Sequence, residues 1–146
     1  MSANLTDYGA NAFGDHLSGV ATLPSTFYVA LCSTQPDVGV DGTTLDALEP
    51  AGASYARVAL ARNGATSWQA ADLGVITTLV DVNFAVAAED WGTITHYALC
   101  TAASAGYVYG YGQFTYEQRI MTGDQMLLPA GGISLSFVGP TNPMVL

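Results

Sequence analysis

The chain has 146 residues, of which half are hydrophobic and 10% are charged, with a net charge of −9. This length suffices for one domain with a single core. Its three cations, Arg57, Arg62 and Arg119, are too few to displace counterions from nucleic-acid phosphates or to hold an anionic membrane, which excludes both as partners.

Residues 4–17 carry a helical pattern. Apolar side chains recur near i, i+3 and i+4 spacing, at Leu5, Tyr8, Ala12, Phe13 and Leu17. Asn4 or Thr6 is expected to cap this helix and Gly19 to end it. Because an isolated helix of this length is marginal in water, its apolar stripe is expected to pack on something else.

From residue 24 onward the pattern has a period of two. The predicted strands are residues 26–32, 54–61, 75–86, 91–100, 107–114, 115–121, 125–128 and 132–138. Residues 26–32 are apolar on both faces, which predicts a strand covered from both sides, and residues 33–52 are expected to form a long loop. The pattern predicts an all-β, sandwich-like or jelly-roll-like single domain at residues 24–138, after a helical arm at 1–19 and before an extended tail at 139–146.

Alternation within these strands predicts the core. The expected members are Phe27, Val29, Leu31, Val58, Leu60, Val82, Phe84, Ile94, Ile133, Leu135 and Phe137. Val80 and Val86 are expected to face the same side as Phe84, with Ser134 and Ser136 facing outward. Cys32 and Cys100 end two apolar runs, which favours buried thiols and leaves a disulfide open.

The residues offer no catalytic chemistry. His16 and His96 are paired with no nucleophile in a known signature, so a helix-end and a structural strand histidine are expected. The acidic segment at Asp37, Asp41 and Asp46 resembles a calcium loop, but Gly39 and Leu48 occupy two positions that need oxygen ligands. We therefore predict a solvated loop, with no catalytic residue, metal or cofactor.

Three tyrosines alternate with glycines near residue 110. Tyr107, Tyr109 and Tyr111 are expected to form a cross-strand aromatic ladder or a subunit interface, with exposed rings that stack on host sugars as the alternative. Together with the helix stripe and the apolar end of the tail they give the predicted partner-binding residues: Leu5, Tyr8, Phe13, Leu17, Tyr107, Tyr109, Tyr111, Met144, Val145 and Leu146.

Several phrases, in this order, carry a family likeness: NLTDYGANAFGDHLSG, PSTFYVALCSTQP, SYARVAL, EDWGTITHYALCTAASAG and TGDQMLLPAGGISLSF. From about residue 5 to residue 137 the chain resembles a family of small tailed-bacteriophage virion proteins commonly labelled tail fibre proteins, some of which look like capsid decoration (cement) proteins. The resemblance implies a non-enzymatic protein of the virion, and the lack of a signal-peptide pattern predicts assembly in the host cytoplasm.

Two roles follow from this resemblance. The first is a decoration protein that binds the major capsid protein and copies of itself, with a trimer expected. The alternative is a tail or tail-fibre component that contacts other tail proteins or the host surface. Copy number in the virion separates the two roles.

Overall fold

The computed structural model describes residues 2–64 and 66–136. These residues form nine strands and two helices: β1 (Ser2–Leu5), α1 (Asp7–Ser18), β2 (Thr26–Cys32), α2 (Gly42–Leu45), β3 (Val58–Ala61), β4 (Val75–Thr77), β5 (Val82–Val86), β6 (Gly92–Cys100), β7 (Val108–Ile120), β8 (Gln125–Leu128) and β9 (Ser134–Ser136). The prediction of a mostly β protein with a short N-terminal helix is confirmed.

The described strands form two open sheets. The main sheet has the order β3-β2-β6-β7-β1-β9-β4, and the small sheet consists of β5 and β8. Neighbouring strands are antiparallel apart from β1 and β9, which are parallel. The long strands β6 and β7 lie at the centre of the main sheet.

Both faces of the central strands are covered. Alternate residues of β2 and β6, such as Leu31 and Tyr97, join the first core cluster, which also contains Phe84 of the small sheet. The opposite face forms the second core cluster, with Ala30, Cys32, Val40, Leu45, Ala98, Cys100, Val108 and Tyr111. The segment around α2 supplies Val40 and Leu45, so the expectation that β2 is covered on both sides is confirmed.

Most of the predicted core is buried as expected. The buried members are Phe27, Val29, Leu31, Leu60, Val82, Phe84, Ile94, Ile133 and Leu135. Val58 is only half-buried because it opens the edge strand β3, and Phe137 lies outside the described residues. The expectation for Ser134 was wrong, since this side chain is buried in β9.

The predicted strand at residues 75–86 is two strands in different sheets. β4 ends at Thr77 and β5 begins at Val82, so Val80 lies in the exposed connection. Val86 is also exposed, because the β5–β8 register shifts between Asn83 and Val86 and turns the end of β5 outward. The alternation through residues 80–86 therefore identified only Val82 and Phe84 correctly.

Several other helix and strand boundaries differ from the predicted ones. The predicted helix at residues 4–17 begins only after Thr6, and Leu5 belongs to β1, which pairs with β7 and β9. Gly19 ends the helix in the left-handed conformation, as expected. The two strands predicted at residues 107–121 are the single strand β7, and residues 54–57 precede β3 as irregular chain.

Cys32 and Cys100 are free thiols within the described residues, and both are buried. Cys32 lies opposite His96 and Cys100 lies opposite Tyr28. Four residues of β6 thus separate the two positions, roughly 13 Å of strand, which is well beyond the Cα separation that a disulfide spans. The expectation of buried thiols is confirmed, and the geometry leaves no disulfide between them.

Candidate partner-binding site

Helix α1 docks on its own chain at the start of β7. The backbone N–H of Thr6 donates to the carbonyl of Tyr109 at 3.0 Å, and the Thr6 hydroxyl donates to the carbonyl of Val108. The same hydroxyl accepts from the N–H of Gly9 at 3.0 Å and so caps the helix. Gly9 lies so close to β7 that a Cβ there would be 1.8 Å from the carbonyl oxygen of Tyr109.

The aromatic residues of the helix stripe complete this contact. The ring of Tyr8 stacks on that of Tyr107 with centroids 4.4 Å apart, and Phe13 meets Tyr109 at 5.8 Å. Tyr8 and Phe13 are half-buried as a result. The stripe therefore finds most of its packing within the chain.

A β-bulge separates the three tyrosines that the sequence places on one face. The β6–β7 register changes between the pairs Leu99–Gly110 and Cys100–Val108, which makes Tyr109 the extra residue. Tyr109 consequently enters the first core cluster, whereas Tyr111 enters the second. Exposed rings at these two positions were expected under the sugar-stacking alternative, and that expectation was wrong.

The remaining predicted partner residues divide by exposure. Leu17 is 90% exposed and Tyr107 is 52% exposed, so both side chains are available to a partner. Leu5 is half-buried in β1. The apolar end of the tail, Met144, Val145 and Leu146, lies outside the described residues.

Asp37, Asp41 and Asp46 are exposed, as expected of a solvated loop, but a buried arginine pins the end of this loop. The Arg57 side chain is 2% exposed and forms ion pairs with Glu49 at 2.5 Å and Asp46 at 3.0 Å. Its Nη1 donates to the carbonyls of Ala102 and Ala105 at 3.0 and 2.9 Å, and Nη2 also lies 3.1 Å from the carbonyl of Gly42. One side chain thus ties the loop after β2, helix α2 and the turn between β6 and β7 together.

Tyr55 extends this cluster to β2. Its hydroxyl donates to Glu49 at 2.7 Å and accepts from the N–H of Leu31 at 2.9 Å. Burial, and then the charge of Glu49, raises the pKa of Tyr55, which keeps the hydroxyl protonated as a donor. Asp41 has a separate task, since its carboxylate caps α2 through the N–H of Thr44 at 2.8 Å.

The two histidines lie at the positions expected of them, one in a strand and one at the end of the helix. His96 is buried in β6, and its Nδ1 lies 2.7 Å from the hydroxyl of Thr95. Burial lowers the pKa of His96, so the ring is neutral near pH 7. His16 is exposed in the last turn of α1, where a cation favours the helix dipole. No group of three metal-binding side chains occurs among the described residues.

An open groove between β7 and β8 is a surface feature that the sequence did not reveal. It has a volume of about 440 Å³ and is lined by Phe114, Thr115, Tyr116, Gln118, Ile120, Gln125, Met126, Leu127, Leu128, Pro129 and Gly132. Its floor is part of the first core cluster, while Tyr116 and Leu127 on its rim are 77% and 47% exposed. No lining residue is charged. The groove is therefore suited to binding an uncharged, apolar segment.

The described residues thus combine an open β fold, a buried polar cluster that holds its loops, and an uncharged groove on the surface. A comparison with protein families matches residues 4–136 to the family described as Podophage GP4 fiber I protein gp80, and the chain belongs to this family. A comparison with curated proteins gives no match. No helix in the described part of the chain is long and apolar enough to cross a membrane.

The family makes this chain a fibre component of a phage virion and a structural protein rather than an enzyme. The expected likeness to phage fibre proteins, the virion location and the non-enzymatic role are confirmed by the family. Between the two roles left open by the sequence, the family supports the tail-fibre alternative better than the capsid decoration role.

Proposed function

We propose that the chain is a tail-fibre component that joins other virion proteins through uncharged surfaces. The observation that carries this proposal is the family match to a fibre protein over residues 4–136. One reason for the decoration role was that the apolar stripe of the helix was expected to pack on something else. Because α1 already packs on β7 through Thr6, Gly9 and Tyr8, that reason no longer applies.

The partner surface that this proposal needs is smaller than the one inferred from the sequence. Leu17 and Tyr107 remain its exposed members, and Val20, which is 76% exposed, lies three residues after Leu17. Leu17 and Val20 lie close together in the chain at the end of α1, and exposed apolar patches mark interaction sites. Tyr109 supports the helix from inside, because its buried ring contacts Tyr8 and Phe13, whereas Tyr111 is buried in the second core cluster.

The proposal also includes a sandwich-like single domain and self-association of the chain. A sandwich-like single domain is supported by Tyr55, whose ring stacks on Phe84 of the small sheet at 6.3 Å, and by the membership of both sheets in the first core cluster. Self-association, with a trimer as the expected state, is supported by the low charge of the chain, because charge-depleted patches are typical of interface centres.

Location in the particle tests the proposal. Virions that carry an affinity-tagged copy should bind gold-labelled antibody at the tail, and label spread over the head would contradict the proposal. A Leu17→Glu variant should be incorporated less than wild type because it puts a charge on the partner surface. Ala10→Glu, which adds the same charge at another exposed position of α1, is the matched control.

A further inference from the structure

Two strand edges border the groove between β7 and β8. β6 pairs with β7 along its length, but on the other edge β1 pairs only with Gly110 and Tyr111. β8 pairs with β5 on one edge. Among the described strands none covers the second edge of β8 or the part of β7 beyond Tyr111. Such edges readily accept an added strand.

The groove has an apolar floor that is already buried and an apolar rim that is exposed. Phe114, Ile120, Met126 and Leu128 form its floor, and these side chains belong to the first core cluster. On the rim, Tyr116 projects from β7 and Leu127 from β8. Water contacts the apolar rim of the groove when it is open. An apolar segment bound there would bury this surface, which is favourable.

We propose that the groove binds residues 137–146 of a second copy of this chain. This inference rests on the proposed self-association and names the site and the segment that carry it out. Copies with a net charge of −9 repel one another, so their contacts are favoured where charge is absent. The segment, FVGPTNPMVL, has no charged residue, and neither does the groove.

The segment also has the right length and chemistry. Ten extended residues reach roughly 33 Å, and the groove follows β7 from Phe114 to Ile120, roughly 20 Å of strand. Met144, Val145 and Leu146 offer apolar side chains for its floor. Pro140 and Pro143 lack an N–H, which is tolerated in a strand added at an edge.

The path of the chain favours a second copy over the same one. Gly132 lines the groove, and β9 then leads away from it between β1 and β4. Ser136 is thus about 13 Å of strand beyond the groove, and the same chain would use several of its remaining residues to return. A segment from another copy can enter the groove without its chain turning back. When two copies exchange segments, the same segment–groove contact forms twice.

Cysteine cross-linking of full-length chains tests the segment and its origin. A tagged Leu127→Cys or Tyr116→Cys chain is mixed with an untagged Val145→Cys chain under mild oxidation. Tagged Val38→Cys, at an exposed position outside the groove, is the control. The native Cys32 and Cys100 are buried, and burial raises the pKa of both thiols, so they do not compete. We expect the groove variants to capture the untagged chain and the control to fail.

Light scattering measures the mass of the oligomer. This measurement does not require residue 145 to lie directly opposite the chosen cysteine in the groove. Leu127→Glu should reduce the wild-type oligomer to a single chain, whereas Val38→Glu should leave its mass unchanged. Three results overturn the inference: a monomeric wild type, an unchanged mass for Leu127→Glu, or a Leu127→Cys/Val145→Cys double variant that closes only within one chain. A monomer found at the tail would overturn self-association and this inference but leave the tail location intact. An oligomer found on the head would leave this inference intact and overturn the tail location.

Discussion

The guanidinium of Arg57 and the carboxylate of Glu49 form a buried ion pair, with Nη2 2.5 Å from Oε1 and Nε 2.9 Å from the same oxygen. Tyr55 donates to the other carboxylate oxygen. The pair holds the acidic loop against the turn between β6 and β7. Val40 and Leu45 of this loop segment then stay packed in the second core cluster.

Replacing Arg57 should destabilise the protein strongly. Arg57→Met leaves Glu49 buried without its cation, and the free energy of unfolding should fall by about 3–5 kcal/mol. Arg119→Met is the matched control, since Arg119 pairs with Asp90 at an exposed site and should change stability little. Urea unfolding at pH 7 measures both. Equal losses of unfolding free energy in the two variants would show that the buried ion pair stabilises the protein no more than the exposed one.

Two glycines of α1 should respond in opposite directions to the same substitution. Gly9→Ala drives a methyl group into the backbone of Tyr109 and should cost about 1–3 kcal/mol as the helix shifts. A Cβ at Gly14 meets nothing within 4 Å, so Gly14→Ala should stabilise the helix by up to about 1 kcal/mol. Thermal unfolding checks the signs. A stable Gly9→Ala variant would contradict the close contact between α1 and β7.

The sequence predicts the strands of this protein better than its connections. β2 matches residue for residue, because its apolar run on both faces is set by local composition. The bulge at Tyr109 depends on the register between β6 and β7, which no period-two pattern reveals. β1 was missed because four residues before a helix carry too little pattern to identify a strand. Arg57 was missed because its carboxylate partners lie in a loop that only the tertiary fold brings close.

In the candidate site, too, the sequence predicts features set by local pattern and misses those set by the tertiary fold. The sequence identified Leu17 and Tyr107, which are exposed, as apolar residues in a regular pattern. It did not reveal the groove, because Phe114 and Leu128 look like ordinary core residues of separate strands. Their common opening depends on the missing hydrogen-bonded ladder between β7 and β8 among the described strands.

Phe84 should be a major contributor to stability. This residue is 1% exposed and contacts Tyr55 through stacked rings. Phe84→Ala should lower the free energy of unfolding by about 3–5 kcal/mol, since it leaves a cavity between the two sheets. Tyr116→Ala, at a ring that is 77% exposed, should have little effect on the single chain. Chemical denaturation compares them, and a mild effect at Phe84 would argue against close packing of the sheets.

Stability should fall at alkaline pH. Burial raises the pKa of Cys100 from 9.0 to about 12 and that of Tyr97 from 10.0 to about 12. The folded state therefore holds these protons more tightly than the unfolded state. Their contribution is complete below pH 9 and is lost as the pH rises toward 12. The unfolding free energy should decline across this range, and less steeply in Cys100→Ala. Parallel declines in both proteins would exclude Cys100 as a cause.

The amount of this protein in purified virions, measured against the major capsid protein, tests the central claim most directly. A tail-fibre component should be present in few copies, in fixed proportion to the other tail proteins, and should remain with the tail when heads and tails are separated. Copies in proportion to the capsid lattice, recovered with the heads, would contradict the account and restore the decoration role.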